Sequence, residues 1–274
     1  EVARDVLQPG TKKSVWDAMK ERRIEQARSD EDKKAVNERA DLRIGALGSG
    51  SDYTPFLQHL GIAAMNTGFG GDGGGGVYHS IYDSFAWYTK FGDPSFEHGR
   101  ALAQINGTIV MRLANADVLP FEYTDSADTF GRYSDEIEKL AMRGKRQRDI
   151  DLGSLKSAVK ALSEAARGYE QALAKAAGNG FKDVKEMKRL NQLLYQSERK
   201  LTDEKGLPRR QWFSHQIYAP GFYTGYGVKT IPGVREAIEE KHWDEVEPEM
   251  KKAVAAIQAL SSQVEAATKL LEGM

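Results

Sequence analysis

The sequence predicts a mainly α-helical chain in which a short α/β portion precedes an all-α helical bundle. Three observations carry that expectation. Leu155, Val159, Leu162, Ala166, Tyr169 and Leu173 recur at alternating spacings of four and three. Val246, Met250, Ala253, Ile257, Leu260, Val264, Ala267 and Leu271 repeat the pattern further on. Such alternation lays an apolar seam along one face of a long helix. Residues 42–67 behave differently, passing from an apolar stretch through a Gly/Ser turn and an amphipathic segment to a second apolar run. That βαβ-like rhythm suggests an α/β layer. Pro120 then ends the apolar segment 96–119, and composition shifts after it, which sets a domain boundary near residue 119.

The elements follow in order. Residues 11–41 are dense in charge, with only Val15, Met19 and Ile24 offering a thin apolar stripe, and read as a solvated surface helix or insertion. A helix over Thr54–Leu60 and a buried strand over Ile62–Met65 are expected next. Seven of the nine residues from Gly68 to Gly76 are glycine, which makes a loop, because glycine loses the most backbone entropy on ordering. The apolar residues Ala101, Ile105, Ile109, Val110 and Leu113 predict a buried or bridging helix. Gly178 and Gly180 should stop the first seam helix, and residues 181–203 should form another helix. The stretch from Gly206 to Gly233 is too long for an ordinary bundle connection, and loops of that length within a compact domain tend to carry function.

Composition removes several classes of function. The 274 residues carry 39 Lys plus Arg against 40 Asp plus Glu, a net charge of −1, which lacks the footprint of a non-specific nucleic-acid binder. No apolar run approaches the roughly 20 residues of a transmembrane helix. The start, EVARDVLQPG, has neither the basic opening nor the apolar stretch of a signal peptide, and the missing initiator Met suggests a processed chain or a piece of something longer. With no Cys there is no disulfide, thiolate ligand or thiol nucleophile, and this is compatible with any compartment.

A metal site would have to come from His, Asp and Glu. The five histidines are His59, His79, His98, His215 and His242, with no closely spaced pair among them. His98 and His242 read as surface residues, His59 as structural, and His215 stays ambiguous. His79 follows the glycine loop beside Tyr78. Asp83, four residues on, could hold the second ring nitrogen if the segment is helical. Spacing alone leaves two readings open, a metal ligand or a buried histidine satisfied by its surroundings. The glycine run matches G-x-G-x-x-G by count but lacks the flanking strand and helix of a dinucleotide site. Ser49 has no partner of the kind a serine hydrolase needs.

LGSGSDYTPFLQHLGIAA followed by VYHSIYDS resembles the aminopeptidase-like di-zinc exopeptidases. The resemblance narrows to the glutamate carboxypeptidase II and transferrin receptor branch through KKSVWDAM, RIGALGSGSD, KFGDPSFEHGRALAQINGTIVMRLANADVLPF, HQIYAPGFYTGY and IPGVREAI. It implies that residues 1–118 are the C-terminal part of an α/β zinc-exopeptidase domain. Residues 119–274 would then be a helical transferrin receptor-like dimerisation domain, giving a homodimer that acts on peptides. It implies two zinc ions in the complete protein, His79 at the last zinc-ligand position, and Tyr78 as the tyrosine that reaches substrate. It further implies that Ser49, Gly50, Ser51 and Tyr226 line the substrate cleft. The other ligands and the general-base glutamate lie upstream in the family, so this chain alone is expected to retain no zinc and to be inactive. The glutamate-preferring members have a lysine before the pocket tyrosine and arginines ahead of the ligand histidine. Here Gly225, Asn66 and Gly68 stand in those places, which points to a broader exopeptidase. An extracytoplasmic location, periplasmic or secreted, is implied by the resemblance alone. The competing expectation is a non-catalytic, receptor-like member or a dimerisation module.

Overall fold

The computed structural model describes residues 1–71, 77–142, 150–181 and 183–274. Most of the glycine-loop expectation, residues 72–76, therefore lies outside the described residues. The chain divides into two compact units, Glu1–Gly45 with Asn66–Ala116, and Ala46–Met65 with Asp117–Met274.

The first unit is a set of helices around a small core. Helices α1 (Val2–Asp5), α2 (Val15–Glu25) and α3 (Asp30–Glu38) make up the charged segment. Ser14 and Ser29 begin α2 and α3 as N-caps, their hydroxyls accepting from Asp17 N at 3.1 Å and Asp32 N at 3.0 Å. Only Val15 of the expected stripe is fully buried; it joins Val6 and Ala101 in a small cluster. After the short helix α4 (Phe85–Trp87) and a π-helical turn at Tyr88–Gly92 comes α5 (Glu97–Ala114). Asp93 is buried at its start and accepts from Gly99 N at 2.9 Å, and its carboxyl sits below the ordinary value chiefly through that bond. The expectation of a buried α5 is only partly met. Ala101 is buried and Ile105 packs beside it, but Val110, Met111 and Leu113 are exposed in the described structure.

The second unit is a helical bundle. Its helices are α6 (Thr124–Met142), α7 (Gly153–Asn179), α8 (Val184–Tyr195), α9 (Pro232–Glu239) and α10 (Trp243–Glu272). Both seams lie where the spacing puts them. All eight seam residues of α10 are buried, as are Leu155, Leu162, Ala166 and Tyr169 of α7, with Val159 and Leu173 packed at the edge of the same core. The seams therefore face one another within a single chain, and their presence says nothing about a second copy. The mainly α fold class is as the sequence predicts, with a single two-stranded antiparallel sheet among the described residues.

Two helical expectations are corrected. The helix expected over 181–203 is two elements, α8 and a 3-10 turn at Glu198–Leu201, and Lys182 lies outside the described residues. Asp183 starts α8 by accepting from Lys185 N and Glu186 N. The strand expected at Ile62–Met65 does not form. Gly61 adopts φ +61° after the π-helical turn Pro55–His59, and Ile62 N donates back to Phe56 O at 2.8 Å. That bond reaches back six residues to close the end of the π-helical turn, and it uses the amide that a strand would have offered to a neighbour. The irregular stretch 206–233 holds the one described hairpin, β1 (Tyr218–Pro220) paired with β2 (Val228–Thr230), Ala219 opposite Lys229. No described helix is long and apolar enough to cross a membrane.

Candidate functional site

The hairpin loop and the Gly/Ser turn meet within the second unit. Loop 221–227 is closed by Gly221 N donating to Gly227 O at 2.9 Å, and by the Thr224 hydroxyl donating to the same carbonyl at 2.6 Å. Ser49 N donates to Tyr226 O at 3.2 Å, and the Tyr226 ring covers Gly50. Glycine is required twice in this turn. A Cβ at Gly48 would lie 2.0 Å from Tyr226 O, and one at Gly50, which has φ +95°, would lie 2.7 Å from the Tyr226 ring. Tyr53 Oη donates to Ser49 O at 3.0 Å, while Ser51 O accepts from Thr54 Oγ1 at 2.7 Å and Thr54 N at 3.0 Å. Four of the residues singled out in the sequence, Ser49, Gly50, Ser51 and Tyr226, are thus gathered at one place. The Tyr226 side chain remains largely exposed there.

Tyr78, His79 and Asp83 belong to the first unit. Val77 O accepts from Ser80 N at 2.9 Å and from Ser80 Oγ at 2.7 Å, and Ser80 O accepts from Asp83 N at 3.1 Å, so the segment is a run of turns. The helical condition for Asp83 to hold the His79 ring is not met, and no hydrogen bond joins the two in the described structure. His79 has φ +59°, a conformation uncommon outside glycine. Its ring stacks on Tyr78 with centroids 3.8 Å apart, and both rings are exposed. Among the described residues no group of three or more His, Cys, Asp or Glu gathers closely enough to hold a metal ion. These residues do not by themselves fit a zinc, which takes about three protein ligands.

The other histidines have local tasks. His59 stacks on Trp212 at 5.0 Å and shares a hydrogen bond with its carbonyl at 2.8 Å. His98 is half-exposed beside Asp93, and His242 lies near Glu240 and Glu245. His215, left ambiguous by the sequence, is fully buried. Its Nδ1 accepts from Ile217 N and Tyr218 N, both at 3.3 Å, which leaves Nε2 to donate to Glu198 Oε1 at 3.0 Å. The Tyr218 hydroxyl donates to the same oxygen. Burial opposes ionisation of Glu198, but its hydrogen bonds with His215 and the Tyr218 hydroxyl outweigh it and hold the carboxyl below its ordinary value. This triad ties the 3-10 turn to β1, with His215 buried and Glu198 and Tyr218 partly buried.

Residues 150–265 match the profile of the transferrin receptor-like dimerisation domain. A protein of Arabidopsis thaliana named as a probable glutamate carboxypeptidase is 37% identical over 80% of this chain and 31% of its own length. The chain belongs to the glutamate carboxypeptidase and transferrin receptor-like family. An aminopeptidase of Rattus norvegicus is 27% identical over 83% of this chain and 32% of its own. A protein of Schizosaccharomyces pombe named as an inactive zinc metalloprotease is 23% identical over 93% of this chain and 32% of its own. This family member thus spans about a third of the length of the curated relatives it matches. Sequence reasoning passed over Gly48, Tyr53 and Gln58, which hold the Gly/Ser turn in place. The signal for Gln58 was available, as one of two polar residues, with His59, in the largely apolar run PFLQHLGIAA.

Proposed function

We propose that this chain is a portion of a zinc-dependent exopeptidase that releases terminal residues from peptides. In this reading residues 1–118 end the peptidase domain and residues 119–274 form the dimerisation domain. The observation that carries the reading is the contact of the Ser49–Ser51 turn with Tyr226, which presents an exposed phenol beside a turn held by backbone hydrogen bonds. In this reading that surface meets the bound peptide. By family resemblance Tyr78 is the tyrosine that reaches substrate, and His79 supplies one zinc ligand. Turnover requires further ligands and a general base beyond these 274 residues, because one histidine falls short of the about three ligands that a catalytic zinc takes.

Specificity in this reading is broader than for C-terminal glutamate. Gly225 stands where the glutamate-preferring members carry lysine, so the charge-assisted hydrogen bond to an acidic side chain is missing. Family resemblance further supports an extracytoplasmic location. The expected result for the full-length protein is release of terminal residues from short peptides, with no turnover by the 274-residue chain alone. Full-length protein that hydrolyses no terminal peptide bond would overturn the reading in favour of a receptor-like member.

The dimerisation domain supports a symmetric homodimer. Since the α10 seam is consumed within the bundle, the interface must use other surface. Light scattering at micromolar concentration is expected to return about twice the 30.4 kDa chain mass, and the monomer mass alone would contradict the dimer.

A further inference from the structure

The turn beneath Tyr226 is held by a side chain that the proposed function leaves unused. Gln58 sits in the π-helical turn Pro55–His59 and is fully buried. Its Nε2 donates to Leu47 O at 3.0 Å and to Gly48 O at 3.1 Å, so both amide protons go to the two carbonyls that lead into the turn. Its own carbonyl accepts from Ser214 N at 2.8 Å, fixing it to the segment that leads into β1. The other end of the amide, Oε1, is buried with no hydrogen-bond partner. An apolar side chain of equal length would leave no such orphan, but it would strip Leu47 O and Gly48 O of their donor.

Gly48 is also the residue at which a Cβ would strike the Tyr226 carbonyl, and the next residue donates to that same oxygen. Any shift of the Leu47–Gly48 backbone therefore moves the Ser49 bond and the surface of Gly50 under the Tyr226 ring. Tyr53 braces the turn by its bond to Ser49 O. π-Helical turns are uncommon and recur at functional sites, and here the turn aims Gln58 inward at the backbone.

We propose that Gln58 is a positioning residue for the peptide cleft, fixing the Ser49–Ser51 turn against loop 221–227 and thereby setting the affinity for peptide. The proposal rests on the reading that this turn lines the cleft. Its consequence follows from pre-organisation: a contact surface that must be ordered on binding costs affinity, whereas the chemical step is untouched once the peptide is seated.

The test uses Gln58→Met, which keeps length and removes the donors. In the full-length protein KM for a short peptide is expected to rise roughly tenfold with kcat within about twofold of wild type. A merely structural role would reduce the amount of active protein, lowering apparent kcat at constant KM, and that result would overturn the proposal. In the 274-residue chain, hydrogen exchange over residues 46–53 is expected to quicken at least about tenfold while α10 keeps its protection. Unchanged exchange there would also overturn it. If Gln58→Met does not fold, Tyr53→Phe removes the second brace and should shift KM and exchange in the same direction by a smaller factor, with no shift in either counting against the proposal. Should the wild-type full-length protein release no terminal residue at all, the function reading fails, and the exchange experiment still decides whether Gln58 positions the turn.

Discussion

Gly48→Ala is expected to destabilise the second unit by about 1–3 kcal/mol and to detach the Gly/Ser turn from the hairpin loop. The added Cβ would lie 2.0 Å from Tyr226 O, 3.0 Å from Val228 N and 3.1 Å from Tyr226 C. All three are backbone atoms, so no side chain can swing aside, and relief comes only by breaking the Ser49 N to Tyr226 O bond. Gly168→Ala in α7 is the internal control, because its Cβ meets nothing within 4 Å. Helix propensity alone should make that variant more stable by up to about 1 kcal/mol. Urea denaturation of both variants checks the pair. A Gly48→Ala midpoint equal to wild type would mean that the turn and the loop do not meet as described.

His79→Ala in the full-length protein is expected to lower turnover by more than about 100-fold. Loss of a group that merely orients a metal ligand costs about 10–100-fold in affinity or activity, and loss of the ligand itself should cost more. The fold should survive, since the His79 ring is exposed and its described contact is the stack on Tyr78. Relief of the left-handed backbone requires glycine, so His79→Gly separates the two effects: it removes any strain but should restore no activity. Near-wild-type turnover by His79→Ala, with its circular dichroism spectrum unchanged, would remove His79 from the metal site.

The bundle was legible because its seams are long and regular. Eight residues of α10 recur in register, and every one is buried, since a four-three pattern over that length fits one helical face and no strand. The run GIAAM was too short for that argument. A brief apolar stretch fits a buried strand or the end of a helix, and Gly61, by adopting φ +61°, closes the turn back onto Phe56. The apolar residues of α5 illustrate the opposite limit: periodicity marks a helix without saying what covers it, and Val110 and Met111 are exposed in the described structure.

The site divides in the same way. Ser49, Gly50 and Tyr226 were picked out by likeness to a family, and the structure joins them through one backbone bond and one ring contact. Gln58 escaped notice because its partners lie ten and eleven residues back along the chain, where no local pattern links an amide to two carbonyls. Asp83 was drawn in by helical spacing, and the turns around Ser80 do not supply the helix that this spacing assumes.

The central claim is that these residues contribute one ligand to a zinc site completed elsewhere in the protein. Elemental analysis of the purified 274-residue chain after dialysis tests it most directly. The account predicts well under one zinc per chain, against about two in the full-length protein. About two zinc ions retained by the chain alone would contradict it, because the site would then be built from residues assigned here to other tasks.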